Sequence, residues 1–168
     1  RKVTLSLKKT SQVRGDFDLN PKMEKLSHNL VPAAVLVPVI LRPEELTVML
    51  TKRTNNLANH PGQISFPGGH VDPEDKSAEE AALRETREEV GLACHKVEIL
   101  GSLDIYETRT GFSVIPIIGS IRPPLKLVPD PCEVAEVFEV PLSFLMDVKN
   151  HKKYTRQFKG ENRQFYAM

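Results

Sequence analysis

Three glutamates, Glu85, Glu88 and Glu89, stand together in the stretch RETREEVG at positions 84–91 of this 168-residue chain. At 3.6 residues per turn, Glu85 and Glu89 lie one turn apart with Glu88 beside them. All three carboxylates therefore leave a helix within about 100° of arc. Leu83, Thr86 and Val90 leave from the opposite side and can be buried against a sheet while the acids face a cleft. Like charges at this spacing repel by about 0.2–0.5 kcal/mol per pair, so something must offset them. Two offsets are open. Arg84 and Arg87 can neutralise a solvated helix face, the commoner fate of such a run. A divalent cation is the other, since clustered hard oxygens suit Mg²⁺ or Mn²⁺, which keep several waters and bridge to phosphate oxygens. The upstream FPGG favours the cation: Gly68 and Gly69 let backbone groups come close to a ligand.

The elements that must position these residues can be read from pattern. Ser77-Ala78-Glu79-Glu80 fits a capping box that starts a helix, and Gly91 supplies its stop. Upstream, AAVLVPVIL at 33–41, a turn at RPEE and the alternating LTVMLTKR at 46–53 read as a hairpin. Residues 54–76 have loop composition, interrupted only by QISF at 63–66. Strands are expected at about 96–103, 112–121 and 133–140, with a short helix over 140–148. One long helix among several strands predicts an α+β or αβα sandwich. The polar, mildly basic residues 1–30 read as an amino-terminal arm, a solvated arm or short helix, ahead of one domain over 31–168.

Bulk composition narrows the function classes. With 23 basic and 22 acidic residues the net charge is +1, so no overall field recruits nucleic acid or an acidic membrane, and an anionic substrate must be held locally. The longest apolar run, VPAAVLVPVIL at 31–41, is too short to span a bilayer. Cys94 and Cys132 have no metal-ligand spacing and suggest a reducing, intracellular compartment. The start at Arg1 and the strand-like Phe165–Met168 at the end suggest trimming, which leaves a targeting signal at either end open.

Gly69-(five residues)-Asp75-(eight residues)-Arg84-Glu85-Thr86-Arg87-Glu88-Glu89-Val90-Gly91-Leu92 resembles the Nudix box, usually G-x5-E-x7-R-E-U-x-E-E-x-G-U with U a bulky aliphatic residue. Asp75 replaces the upstream glutamate, the second spacer is one residue longer, and Thr86 replaces the aliphatic. Leu50-Thr51-Lys52-Arg53-Thr54, Leu57 and His60-Pro61-Gly62-Gln63-Ile64-Ser65-Phe66-Pro67-Gly68-Gly69 are similar to the signature before the box in the coenzyme A pyrophosphatase group, where the longer spacer also occurs. The resemblance spans about 32–168.

It implies a Nudix fold, a mixed β-sheet between helices in an αβα sandwich. It also implies a Mg²⁺- or Mn²⁺-dependent enzyme that cleaves coenzyme A or acyl-coenzyme A to 3′,5′-ADP and (acyl-)4′-phosphopantetheine. Glu85 and Glu89 are then the first metal ligands, with Glu88 completing or sharing the site, and Arg84 orients a neighbouring carboxylate. The general base is Glu85 or a carboxylate from a distant loop, Glu133 or Glu136. Arg53 is a phosphate-binding candidate or a surface ion pair. His60 and Gln63 belong to the substrate-binding signature or fix the loop, and Gly68 and Gly69 approach the ligand. Tyr106 and Phe112 stack on adenine or fill the core. Lys52, Arg109 or the amino-terminal lysines are candidates for the 3′-phosphate. Two alternatives stand beside this: a Nudix hydrolase of another nucleoside diphosphate derivative such as ADP-ribose, and a non-catalytic nucleotide- or RNA-binding module.

Overall fold

A computed structural model describes residues 13–20, 30–56, 61–158 and 160–168. Nine strands form one mixed sheet: β1 (Arg14–Gly15), β2 (Val31–Leu41), β3 (Leu46–Arg53), β4 (Ile64–Ser65), β5 (Gly68–His70), β6 (Val97–Ser102), β7 (Tyr106–Glu107), β8 (Phe112–Ile121) and β9 (Val134–Pro141). The long helix α1 spans Ala78–Val90 and the short α2 spans Leu142–Met146. A separate hairpin, β10 (Lys152–Phe158) with β11 (Glu161–Ala167), ends the chain.

Strand β2 is the axis of the sheet. Along its whole length it runs parallel to β8, from Val31 opposite Phe112 to Ile40 opposite Ile121. Its other edge is shared: the amino-terminal half pairs antiparallel with β5, and the far end pairs antiparallel with β3. This change of partner brings the glycine strand β5 beside the body of the fold. The alternation of β2 sends Ala34, Leu36 and Ile40 to one face, all fully buried, where they meet Ala81, Ala82 and Val90 of α1. Burying a large aliphatic side chain contributes about 1.5–3 kcal/mol, so this layer is the main reason α1 stays on the sheet.

The ends of α1 follow the sequence signals with one shift. The Ser77 hydroxyl accepts from the Glu80 N–H at 3.2 Å, but the Glu80 carboxylate accepts from Lys76 N–H instead of closing back on Ser77. Gly91 ends the helix at φ +70°, and a Cβ there would stand 2.8 Å from the backbone of Val128. Val128 and Asp130 donate their N–H groups to the carbonyls of Val90 and Glu89, so this loop satisfies the helix end. Thr86, where the motif has an aliphatic, is buried because its hydroxyl donates to the Ala82 carbonyl at 2.6 Å. Val90 is buried as expected and Leu83 partly so.

Residues 13–20 differ from the expected arm or short helix. Arg14–Gly15 adds a parallel strand to β7, and a 3₁₀ turn follows at Asp16–Asp18. The rest of the expected arm, 1–12 and 21–29, lies outside the described residues. Cys94 and Cys132 are free thiols. Among the described residues, no helix is long and apolar enough to cross a membrane.

Candidate active site

The site forms where α1 faces the glycine strand β5. Arg84 is its hub. Its Nε and Nη2 donate to the two oxygens of Asp75 at 3.1 and 2.9 Å, and Nη2 also donates to the His70 carbonyl at 3.0 Å. Its Nη1 donates to Glu85 at 2.8 Å and to Glu88 at 3.1 Å, and Asp72 lies 3.4 Å from Nη2. A fork bidentate to one carboxylate is held in orientation as well as in position. The guanidinium beside Asp75 holds that carboxyl below its ordinary range, and the same contacts raise the proton affinity of Arg84. The Asp75 side chain is only 5% exposed, and together with the His70 carbonyl it fixes Arg84 against β5.

The three glutamates have three different environments. Glu89, expected on a cleft-facing acidic face, is 7% exposed and points inward. Its carboxylate accepts from Gly68 N–H at 3.2 Å and lies 3.8 Å from Arg53 Nη1. Burial pushes it up to about pKa 7; the Gly68 hydrogen bond opposes this, the charges of Glu133 and Glu85 add to it, and Arg53 lowers it. Glu85 is also raised, mainly by desolvation, against the pull of Arg84. Glu88 is 53% exposed at the rim.

Both glycines are needed by close approach. A Cβ on Gly69 would stand 2.5 Å from Glu85 Oε2, and Gly68, at φ +149°, has the backbone of Ala34 and Val35 against it. Gly68 thus aims an N–H at Glu89 while Gly69 leaves room for the carboxylate of Glu85.

The remaining predicted site residues divide. Arg53 joins the site through Glu89, and among the described residues its buried Nε has no hydrogen-bond partner. The main chain of Gln63 accepts from Arg53 N–H at 2.9 Å while its side chain is exposed, so it fixes the loop through backbone. Glu133, in the loop before β9, reaches the site as a charge acting on Glu89. Glu136 is exposed, opposite Lys52 on the sheet. Tyr106 is 39% exposed, not core, and Phe112 packs on the His70 ring with centroids 5.4 Å apart. His60 lies outside the described residues. Sequence reasoning missed Asp72, the His70 carbonyl and the Gly68 N–H; only the Asp-Pro-Glu-Asp run at 72–75 hinted at the first.

Among the described residues, no three His, Cys, Asp or Glu side chains converge to hold one ion. The donor set nevertheless suits a hard divalent cation that keeps water and substrate oxygens in its shell. Glu85 and Glu89 are both desolvated, Glu85 raises the proton affinity of Glu89, and Glu88 and Asp72 raise that of Glu85 against the pull of Arg84.

Comparisons of sequence and of fold point to one family. The NUDIX domain family model matches residues 31–158. A protein of Photorhabdus laumondii described as an uncharacterized Nudix hydrolase, NudL, is 40% identical over 153 residues, which cover 91% of this chain and 81% of that protein. The crystal structure of a Nudix hydrolase from M. smegmatis, RenU, aligns with a TM-score of 0.59 and 24% identity over 70% of this chain and 74% of that one. A C. elegans Ap4A hydrolase in a binary complex aligns with a TM-score of 0.58 and 22% identity over 70% and 83%. At such identities the two structures speak to fold alone. The family match over most of the chain, with the acids of its motif held at a glycine strand, means that this chain belongs to the Nudix family of pyrophosphohydrolases.

Proposed function

We propose that the chain hydrolyses the pyrophosphate of coenzyme A or its thioesters, giving 3′,5′-ADP and 4′-phosphopantetheine or its acyl form, with Mg²⁺ or Mn²⁺ as cofactor. The observation that carries the chemistry is the pair of desolvated carboxylates, Glu85 and Glu89, each placed against one glycine of FPGG. The choice of coenzyme A is supported by the resemblance over residues 50–75.

Glu85 and Glu89 would hold the ion, with Glu88 completing or sharing the set. When bound, the ion neutralises the diphosphate and makes water easier to deprotonate. The chain does the rest. Arg84, anchored on Asp75 and His70, fixes the rotamer of Glu85, and the Gly68 N–H fixes Glu89. Arg53, partly exposed with its Nη1 3.8 Å from Glu89, would turn its terminal nitrogens to a phosphate oxygen. One carboxylate cannot be a full ligand and a free base together, because coordination lowers its proton affinity. Glu133, close enough for its charge to act on Glu89, is therefore the favoured base over Glu136. The water oxygen bonds to phosphorus, the bridging P–O bond breaks, and the water proton passes to that carboxylate.

Product analysis tests this directly. Coenzyme A incubated with the protein and Mg²⁺ is expected to yield 3′,5′-ADP and 4′-phosphopantetheine by chromatography. Efficient cleavage of ADP-ribose or diadenosine tetraphosphate with coenzyme A left intact would overturn the substrate assignment. No cleavage of any of the three would overturn the catalytic one.

A further inference from the structure

A row of register partners crosses five strands at one end of the sheet. Arg14 lies opposite Tyr106, Tyr106 opposite Val114, Val114 opposite Ala33, and Ala33 opposite His70. The turn Thr108–Gly111 joins β7 to β8 at this edge. Phe112, which closes it, packs on the His70 ring at a tilt of 49°, and the Gly111 carbonyl accepts from Val31 N–H. With strands about 4.8 Å apart, β8 lies two strands, or roughly 10 Å, from the glycine strand. That is the reach of a nucleoside attached to a diphosphate seated at Gly69. The turn carries hydroxyls there: Thr108 and Thr110 lie 3.0 Å apart, and Thr110 is exposed.

Residues 13–20 fasten that turn by several independent contacts. One oxygen of Asp16 accepts from the Tyr106 hydroxyl at 2.7 Å and the other from Arg109 N–H at 2.9 Å. The Arg14 N–H donates to the Ile105 carbonyl at 2.8 Å. Gly15 makes the approach possible, since a Cβ there would stand 2.7 Å from the Glu107 carbonyl. Asn20 ties the other end of the segment to β11, donating to the Gln164 carbonyl and accepting from its N–H. Burial, and then Asp16, raise the Tyr106 phenol above its ordinary value, so it stays a donor.

We propose that Asp16 is a positioning residue for substrate recognition: it holds the Thr108–Gly111 turn beside His70, and the turn takes the part of the substrate that extends beyond the diphosphate. This rests on the diphosphate-hydrolase reading of the site. A fastening that served only the fold would act on stability; one that serves recognition acts on KM. The test is steady-state kinetics on coenzyme A at saturating Mg²⁺ for the unchanged protein, Asp16→Ala, the milder Tyr106→Phe, and both together. Asp16→Ala is expected to raise KM about tenfold with kcat within about twofold, the signature of lost binding shared by ground and transition states. Tyr106→Phe raises KM in the same direction, and the double variant is no worse than Asp16→Ala alone because the two lose the same contact. An unchanged KM in both folded single variants, or a loss confined to kcat, overturns the proposal. If the unchanged protein leaves coenzyme A intact, the substrate assignment fails by itself, and the same comparison on ADP-ribose still decides the role of Asp16.

Discussion

Replacing Glu89 by Gln is expected to stabilise the metal-free protein while removing its response to metal. Burial holds the carboxyl at a pKa of about 7 against an ordinary 4.5. At about 1.4 kcal/mol per pH unit, keeping it ionised in the fold costs up to about 3 kcal/mol. The folded state binds this proton more tightly than the unfolded chain, so stability falls as pH rises from about 4.5 to about 7 and stays low above that. Below pH 4.5 both states are protonated and the penalty vanishes. Gln keeps the size of the side chain and an acceptor for Gly68 N–H but carries no charge. In chelator, the variant is expected to exceed the unchanged protein by up to about 3 kcal/mol at pH 8, or about 6–12 °C in Tm for a domain of this size. The gap closes by pH 4.5. Urea and thermal melts from pH 4.5 to 8.5 measure it, and adding Mn²⁺ should raise the Tm of the unchanged protein alone. A Gln variant less stable at pH 8, or a gap that ignores pH, would refute the reasoning, because the attraction of Arg53 at 3.8 Å would then outweigh desolvation.

Three further outcomes follow from the same geometry. Asp75→Asn removes one of two oxygens that grip Arg84, so Mn²⁺ affinity measured by electron paramagnetic resonance should fall about 10–100-fold, the usual effect of losing a partner behind a ligand. Gly69→Ala places a methyl 2.5 Å from Glu85 Oε2; kcat should fall at least about a hundredfold while circular dichroism stays unchanged. Glu85→Gln should lower kcat by at least about a hundredfold, on the scale of losing a base or metal ligand. Glu85→Gln activity near that of the unchanged protein would remove this residue from the chemistry.

The long, strongly patterned elements were legible in the sequence because their pattern is their packing. The hairpin β2–β3 alternates as a half-buried strand pair must, and α1 carries its own start and stop at Ser77 and Gly91. What the sequence hides is the third dimension of the acidic run. Helical spacing places Glu85, Glu88 and Glu89 on one face, but only the approach of β5 decides that Glu89 is buried and Glu88 is not. Two-residue strands such as Arg14–Gly15 have no period to detect. They exist because a partner strand and the donors that meet Asp16, the Tyr106 hydroxyl and the Arg109 N–H, are already in place. Asp72 and the His70 carbonyl escaped for a related reason: a loop acquires a role only when a guanidinium reaches it.

The grip of Asp75 on Arg84 bears on how a spaced motif should be read. Aspartate is one methylene shorter than the glutamate usual at that place, and the chain between it and Arg84 is one residue longer. The added backbone lets the shorter side chain be delivered to the same guanidinium, so length lost in a side chain is recovered in a loop. A sequence pattern fixes letters and gaps, whereas this fold needs only a carboxylate beside its cation, here at 2.9 Å. Two departures that each count as a mismatch can thus be one substitution made in two places, and searches that score them separately will undervalue chains built this way.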